Sequence, residues 1–409
     1  MKKLNVHLTN SLGVKIPVGI LAQIDHRIVF EYANSFLETG LQISPYYVPL
    51  REGLFEVNKS YLLNLPGVFN DSLPDGWGML LMDRFFQKQN ITFLSVSALD
   101  RLAYLGSDTM GALTYEPSMT KEYQNLLDLS ILAQESQKVI SGSTCSILAE
   151  LYLAGGSPGG ARPKVCVGLK DKQLIVLAGN AFDDFEPWII KFPAQQDQHD
   201  TGIVEYVYSL LAKKAGLTMT ETRLFDVPKT GTFFGIKRFD RTLNGRIHSH
   251  TFGNLIQTDF RIPGTSYETF LKVTYDLTKS YQELLMAFRY MCFNIIFHNR
   301  DDHTKNFSFI MNDTGKWNLS PAYDLCYSQG MGGEHFMSVQ GEGTAITKDH
   351  INRLTNEMSI KTRDKNEILD QIIDSASKWD SLAKQHGINS KIKTKISKHI
   401  KQNVSNIIS

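Results

Sequence analysis

Three polar residues late in the chain have the types and spacing that phosphoryl transfer requires. Asp301 and Asn306 stand five residues apart in His298-Asn-Arg-Asp301-Asp-His303-Thr-Lys305-Asn306, and Asp324 follows in Ser320-Pro-Ala-Tyr-Asp324-Leu. Moving a phosphoryl group needs a carboxylate to orient or deprotonate the acceptor hydroxyl. It also needs an Asn and an Asp to hold Mg²⁺ on the nucleotide phosphates. A kinase catalytic loop separates its Asp and Asn by the same interval, and Arg300-Asp301 keeps the Arg-Asp pair. An Asp-x-x-x-x-Asn spacing is weak alone, because a polar loop after a helix produces it easily. Here an apolar segment precedes it and an apolar-flanked Asp follows, which favours the chemical reading.

Earlier segments supply what such a site would need for phosphate. Gly155-Gly156-Ser157-Pro-Gly159-Gly160-Ala-Arg162-Pro-Lys164 has four glycines in six positions, which lets backbone N–H groups approach an anion without Cβ obstruction. No GK[ST] follows, so it is not a Walker A loop, and a helix-ending turn has the same look. Lys191 ends the apolar run Trp188-Ile-Ile-Lys191, where it can meet α- and β-phosphates or simply close a surface strand. Glu205, on the next helical stretch, is the candidate ionic partner of Lys191. Lys237-Arg-Phe239-Asp-Arg241 ends the last strand before a more helical region, the position of an adenine-holding hinge or of a charged strand exit.

A metal-dependent hydrolase is the rival. His298, Asp301, Asp302 and His303 could ligate a metal, with His248-Ser-His250 adding an H-x-H pair. That reading lacks an H-E-x-x-H helix and leaves the glycine loop, Asn306 and Asp324 unused. The cysteines, Cys145, Cys166, Cys292 and Cys326, have no CxxC spacing and suggest neither a zinc site nor a disulfide framework.

These residues have to be positioned by elements that the hydropathy pattern outlines. Leu4–Leu8, Val14–Leu21, Arg27–Tyr32 and Gly111–Tyr115 read as strands, with a loop over Phe69–Gly76 and a helix over Trp77–Gln87. Tyr123–Gln137 and Thr144–Leu153 read as helices. Val165–Leu169 with Leu174–Ala178 reads as a hairpin, Trp188–Lys191 as a strand and Val204–Ala215 as a helix closed by Gly216. Strands resume at Thr222–Phe225 and Thr232–Arg238, and the chain after Asp240 reads as mainly helical. Leu284, Phe288, Met291 and Ile295 form one stripe of a helix whose next face carries Leu285, Cys292 and Ile296, so that helix should be buried. The expected fold is α+β, divided as a β-rich part (1–117), an α/β lobe with the glycine loop (118–240) and a helical lobe with the catalytic loop (241–409).

Composition sets the outer limits. The 409 residues carry 43 Lys+Arg against 42 Asp+Glu, a net charge of +1, which argues against nucleic-acid binding by bulk charge. With 42% hydrophobic and 21% charged residues the chain is an ordinary globular one. The start, MKKLNVHLTN, alternates like a strand rather than a signal peptide, and Leu284–Phe297 is shorter than a membrane span. A soluble cytoplasmic protein without a membrane partner is expected.

Taken together, GGSPGGARPK, WIIKFP, KRFDR, DDHTKN and SPAYDL resemble the HipA-type serine/threonine kinases, the toxins of bacterial type II toxin–antitoxin pairs. The resemblance runs in order from about Leu62 to Leu325 and includes LPDGW at Leu73–Trp77 and the GALTYEP stretch. It implies a two-lobed protein-kinase-like fold with an added N-terminal subdomain, using ATP with Mg²⁺. By motif, Asp301 would be the catalytic carboxylate, with Asn306 and Asp324 on the metal. Gly155, Gly156, Ser157, Gly159, Gly160, Lys191, Lys237, Phe239, His303 and Lys305 would meet ATP, the adenine lying against the Lys237–Phe239 backbone. Ser157 would be the autophosphorylated serine, whose added charge of about −1.5 to −2 would repel ATP phosphates. This chain departs from the family pattern in Arg162-Pro163 and in Pro158 beside Ser157. The resemblance further implies a translation protein, such as an aminoacyl-tRNA synthetase, as substrate. The implied partner is a small helix-turn-helix antitoxin (HipB-like) that carries any DNA contact.

Two other functions use the same residues differently: a catalytically silent module that holds a partner, and a small-molecule or lipid kinase on the same scaffold. Near the C-terminus, Lys391, Lys395 and Lys398 share one helical face, and Ile392, Ile396, Ile400 and Val404 share another. A packed helix with a solvated lysine face is the plain expectation, and a contact with DNA or with an acidic partner surface is the alternative.

Overall fold

The computed structural model describes residues 2–92, 96–119, 129–143, 145, 151, 159–170, 173–175, 185–193, 200–227 and 230–409. Leu4, Val6 and Leu8 alternate with polar residues and turn inward, so the opening segment forms a half-buried strand. It is β1 (Lys2–Thr9) of an antiparallel sheet in the order β4-β3-β2-β1-β5, with β2 (Lys15–Ile24), β3 (Arg27–Tyr32), β4 (Leu54–Glu56) and β5 (Leu113–Glu116). Phe30, Tyr32, Phe36, Phe55 and Phe69 form an aromatic cluster under it. Two helices pack with this sheet, α1 (Gly76–Lys88) and α2 (Ala98–Leu105). The second is opened by a capping box between Ser97 and Asp100. The expected loop over Phe69–Gly76 begins later than expected, because a short helical turn occupies Gly67–Asn70.

The second sheet runs β7-β6-β8-β10-β9, all antiparallel, from β6 (Lys164–Lys170), β7 (Gln173–Ile175), β8 (Glu186–Lys191), β9 (Thr222–Val227) and β10 (Gly231–Lys237). A Cβ on Gly235 would lie 2.2 Å from the Phe225 ring, so glycine there lets Phe225 lie flat and meet Trp188 edge-on at 5.7 Å. Helix α3 (Leu129–Ile140) precedes this sheet, and α4 (Thr201–Lys214) packs on β10 and β9. Most of the helix expected over Thr144–Leu153, the start of that over Tyr123–Gln137 and the end of the hairpin strand Leu174–Ala178 lie outside the described residues.

The last part is helical but not wholly so. Helices α5 (Tyr267–Thr278) and α6 (Tyr281–Ile296) form its centre, and the stripe Leu284, Phe288, Met291, Ile295 is buried as expected. A third sheet, β11-β13-β14, lies beside them, from β11 (His248–Thr251), β13 (Ser308–Met311) and β14 (Trp317–Leu319). A two-residue parallel pair, β12 (Thr265–Ser266) with β15 (Met337–Ser338), completes the strands. The polar strand β11 escapes hydropathy because its inward residues are His248 and His250, both buried. Helices α7 (Lys348–Glu357), α8 (Thr362–Ser377), α9 (Trp379–Gln385) and α10 (Ser390–Ile408) follow. In α10, Ile396 and Ile400 are buried while Lys391, Lys395 and Lys398 are exposed. Among the described residues no helix is long and apolar enough to cross a membrane. One apolar core runs through all three parts.

Candidate active site

The catalytic loop is held by groups around it, which leaves Asp301 facing the cleft. Helix α6 starts on a Ser280 cap that accepts from the Glu283 N–H. After the helix His298 adopts φ +56, reversing the chain. Asp302 points inward and is fully buried. It accepts from Tyr267 Oη at 2.6 Å and from the Phe336 N–H at 2.7 Å, and lies 2.8 Å from His335 Nδ1. Adjacent carboxylates therefore have opposite duties: Asp302 anchors and Asp301 is exposed. Asn306 Nδ2 donates to the Asp301 carbonyl at 2.7 Å, which fixes the loop and leaves Oδ1 without a hydrogen bond among the described residues.

Asp324 is placed by the segment after β14. Tyr323 Oη donates to the Lys305 carbonyl at 2.7 Å, and Tyr290 Oη donates to the carbonyls of Tyr323 at 2.9 Å and Asn306 at 3.2 Å. These two tyrosines lock the Asp324 segment to the catalytic loop. Asp324 itself has φ +55, a conformation uncommon outside glycine, Asn and Asp. Its Oδ1 meets Lys191 Nζ at 2.5 Å, and the other lobe supplies that lysine from the end of β8. Lys191 Nζ is also 2.6 Å from Glu205 Oε1 on α4. The two lobes thus meet in a Glu205–Lys191–Asp324 chain of charges, with Asp301 and Asn306 alongside.

The electrostatics follow from this crowding. Burial disfavours the Lys191 ammonium, but Asp324 and Glu205 outweigh it and hold Lys191 charged, well above its ordinary pKa. Burial likewise pushes Asp324 up, and Lys191 and Lys164 pull it further down, so it stays ionised well below the ordinary carboxylate range. Burial raises Glu205 against the pull of Lys191. The Asp301 carboxyl is raised, first by desolvation in the cleft and then by Asp324 and Asp302, against the opposing His303 and Arg162. A base with a raised pKa beside an ionised partner suits proton acceptance at neutral pH.

The remaining sequence candidates fall as follows. Gly155, Gly156 and Ser157 lie outside the described residues; Gly159 and Gly160 are described at the exit of the glycine loop. His303 sits between Phe260 and Phe336, ring centroids 5.4 and 6.0 Å away, with a buried Nδ1 that makes no hydrogen bond among the described residues. Lys305 lies over the Phe260 ring and 3.4 Å from Asp75. At the hinge, Lys237 donates its N–H to the Glu221 carbonyl, and its own carbonyl accepts from Thr220. The Phe239 N–H makes no hydrogen bond among the described residues, so it and the second lone pair of the Lys237 carbonyl are what an adenine edge could use. The Phe239 ring meets Tyr323, next to Asp324, at 5.7 Å.

Three participants escaped the sequence reading. Lys164 pairs across the sheet with Lys191 and is buried, with its Nζ on the Gly159 carbonyl. Arg162 acts electrostatically on both Asp301 and Glu205. Asp75 reaches the site from the N-terminal part. Lys164 was legible as a lysine ending a glycine loop; Asp75 stood out only as part of the LPDGW stretch, with nothing to tie it to the site, since its partners lie 85 and 230 residues away.

The metal-hydrolase alternative fails. No group of three His, Cys, Asp or Glu among the described residues could hold a metal. His250 is spent on Asp71 and Ser44, and His248 on the Ile43 carbonyl. Donors present in the cleft, the Asn306 Oδ1 and the second oxygen of Asp324, are hard oxygens of the kind Mg²⁺ takes together with phosphates, and Lys191 suits a phosphate oxygen.

The fold and the cleft define a two-lobed protein of kinase-like architecture with an additional β-rich N-terminal part. The HipA-like C-terminal domain family matches residues 156–379 and the HipA N-terminal domain family residues 8–116. The chain belongs to the HipA family. It is 25% identical over 329 residues, 76% of this chain and 74% of the other, to the protein named "Putative kinase Y4dM" from Sinorhizobium fredii. Among solved structures it is similar to HipA of Shewanella oneidensis MR-1, seen with HipB and operator DNA. The TM-score is 0.70 at 16% identity, covering 98% of this chain and 96% of that one. The Helicobacter pylori proinflammatory kinase CtkA matches 60% of this chain and 91% of its own, at 15% identity and a TM-score of 0.43.

Proposed function

We propose that this protein is an ATP- and Mg²⁺-dependent serine/threonine protein kinase that acts as the toxin of a toxin–antitoxin pair. The observation that carries the reading is the Glu205–Lys191–Asp324 chain joining the lobes beside Asp301 and Asn306. In this reading Lys191 holds nucleotide phosphate, and Asn306 Oδ1 and Asp324 hold Mg²⁺, which neutralises phosphate charge when bound. Asp301 orients the acceptor hydroxyl and takes its proton on a carboxylate oxygen. The Phe239 N–H reads the adenine edge.

The substrate proposed is a translation protein such as an aminoacyl-tRNA synthetase, with Ser157 as the autophosphorylation site. The partner proposed is a small HipB-like antitoxin, since the related Shewanella protein is seen with HipB and operator DNA. The near-neutral charge agrees with DNA contact through that partner. The domain division 1–117, 118–240 and 241–409 is proposed on the layout of the three larger sheets.

The test is incubation of the protein, alone and with lysate, with [γ-³²P]ATP and Mg²⁺. Label should appear on Ser157 and on a translation protein, and should vanish in Asp301→Asn and Asp324→Ala. Absence of any labelled protein with the wild type overturns the proposal. Label on a small molecule or lipid alone moves the substrate class.

A further inference from the structure

The N-terminal domain places a charged side chain inside the catalytic cleft. Asp75 stands at the N-cap position of α1, where an aspartate ordinarily accepts from its own helix, a contact worth about 1 kcal/mol. It makes no such capping bond. Its Oδ1 instead accepts the Gly160 N–H at the exit of the glycine loop, and its Oδ2 lies 3.4 Å from Lys305 Nζ. Lys305 sits between Asp301 and Asn306, and its carbonyl is held by Tyr323 beside Asp324. One carboxylate therefore touches both the glycine loop and the catalytic loop, and the side chains of both Asp75 and Lys305 are only 13% exposed.

The surrounding residues are built for this contact. Trp77 donates its backbone N–H to the Gly160 carbonyl at 3.1 Å, so Asp75 and Trp77 take the two polar groups of one glycine. The Trp77 indole donates to the Lys164 carbonyl at 3.0 Å. Gly76, between them, has φ +38, and a Cβ on it would lie 2.6 Å from Ala161 Cα. Glycine is required there for the close approach, and the Asp-Gly-Trp order is what the contact demands.

We infer that Asp75 is a positioning residue for phosphotransfer, supplied by the N-terminal domain to hold the glycine-loop exit in register with the catalytic loop. This rests on the kinase reading above. Misplacing reacting groups by about 1 Å can cost roughly 100-fold in rate, so the contact acts on turnover more than on nucleotide affinity.

The experiment compares Asp75→Ala, Asp75→Asn, Lys305→Ala and the Asp75→Ala/Lys305→Ala double variant in the full chain. It measures kcat, KM for ATP and hydrogen exchange over residues 159–164 and 301–306. Asp75→Ala should lower kcat about 10- to 100-fold with KM for ATP within about threefold. The near-isosteric Asp75→Asn should fall between, because its amide oxygen still accepts from Gly160. The double variant should be no slower than the slower single variant, as expected of residues that act as one unit. A kcat for Asp75→Ala within about twofold of wild type, or losses that multiply in the double variant, overturns the inference. If wild type transfers no phosphate, the kinase reading falls, and exchange decides the coupling separately. Faster exchange in both segments with Asp75→Ala upholds it, and unchanged exchange in either overturns it.

Discussion

Asp301 and its neighbours set how the site responds to pH and to substitution. The raised Asp301 carboxyl must be ionised to accept a proton, so activity should fall as pH drops through a value above its ordinary 3.8. A kcat/KM–pH profile checks this, and an acid limb at or below 3.8 contradicts it. Lys191 carries two carboxylates, and neither can replace its charge. Lys191→Met should therefore cost about 100- to 1000-fold in kcat/KM. Glu205→Gln should cost less, because Asp324 still pairs with Lys191. Steady-state kinetics of the two variants ranks them. A larger loss for Glu205→Gln would mean that Glu205 does more than hold the lysine.

At the scale of elements, the strand exit that resembles an adenine hinge is largely a seam. Asp240 is buried and binds Arg238, Arg241 and the Gly111 N–H of the first sheet. Arg241 reaches the Thr109 and Gly111 carbonyls, and Arg246 the Ser107 carbonyl. Burial pushes the Asp240 carboxyl up, but Arg238 and Arg241 hold it well below the ordinary range. Removing one member of such a network leaves an uncompensated buried charge. Asp240→Ala should therefore cost about 3–5 kcal/mol of stability. Denaturant unfolding measures it, and a loss under about 1 kcal/mol would show that the seam is wet or redundant. Because Asp240 touches no proposed ATP contact except through Phe239, the surviving folded fraction should keep its KM for ATP within about twofold.

For the molecule as a whole, acid sensitivity should come from buried histidines at the junctions of the parts. His248 joins β11 to the N-terminal part, and burial lowers it from 6.5 to about 4. His298, at the end of α6, stacks against Tyr327 and against His399 of α10 and is lowered to about 3, first by burial and then by Arg300. Both are neutral in the fold and would be protonated sooner in the unfolded chain. Their stabilisation is therefore complete above pH 6.5 and is lost as pH falls towards 4 and 3. For His248 this amounts to roughly 3 kcal/mol. Unfolding free energies at pH 7, 6 and 5 should fall steadily, and His248→Gln should flatten the slope. An unchanged slope would place the acid sensitivity elsewhere.

Spacing and hydropathy alone made much of this protein legible. The stripe on α6, the alternation of β1, the Asp301–Asn306 interval and the strand ending in Lys191 are local patterns, and local geometry maps them directly onto faces and loops. The interval to Asn306 singled out Asp301, but what turns Asp302 inward was not legible, because Tyr267, His335 and Phe336, which claim it, come from distant segments. Nor was the duty of His248 and His250, whose polarity hid a strand and suggested a metal. Lys164 and Asp75 gained their roles through cross-strand register and domain contact, which exist only once the chain has folded. The sequence by itself determined the chemical groups and the elements that carry them. The tertiary structure decided which groups meet, because partners as distant in the chain as Asp75 and Lys305, 230 residues apart, are joined by packing rather than by spacing.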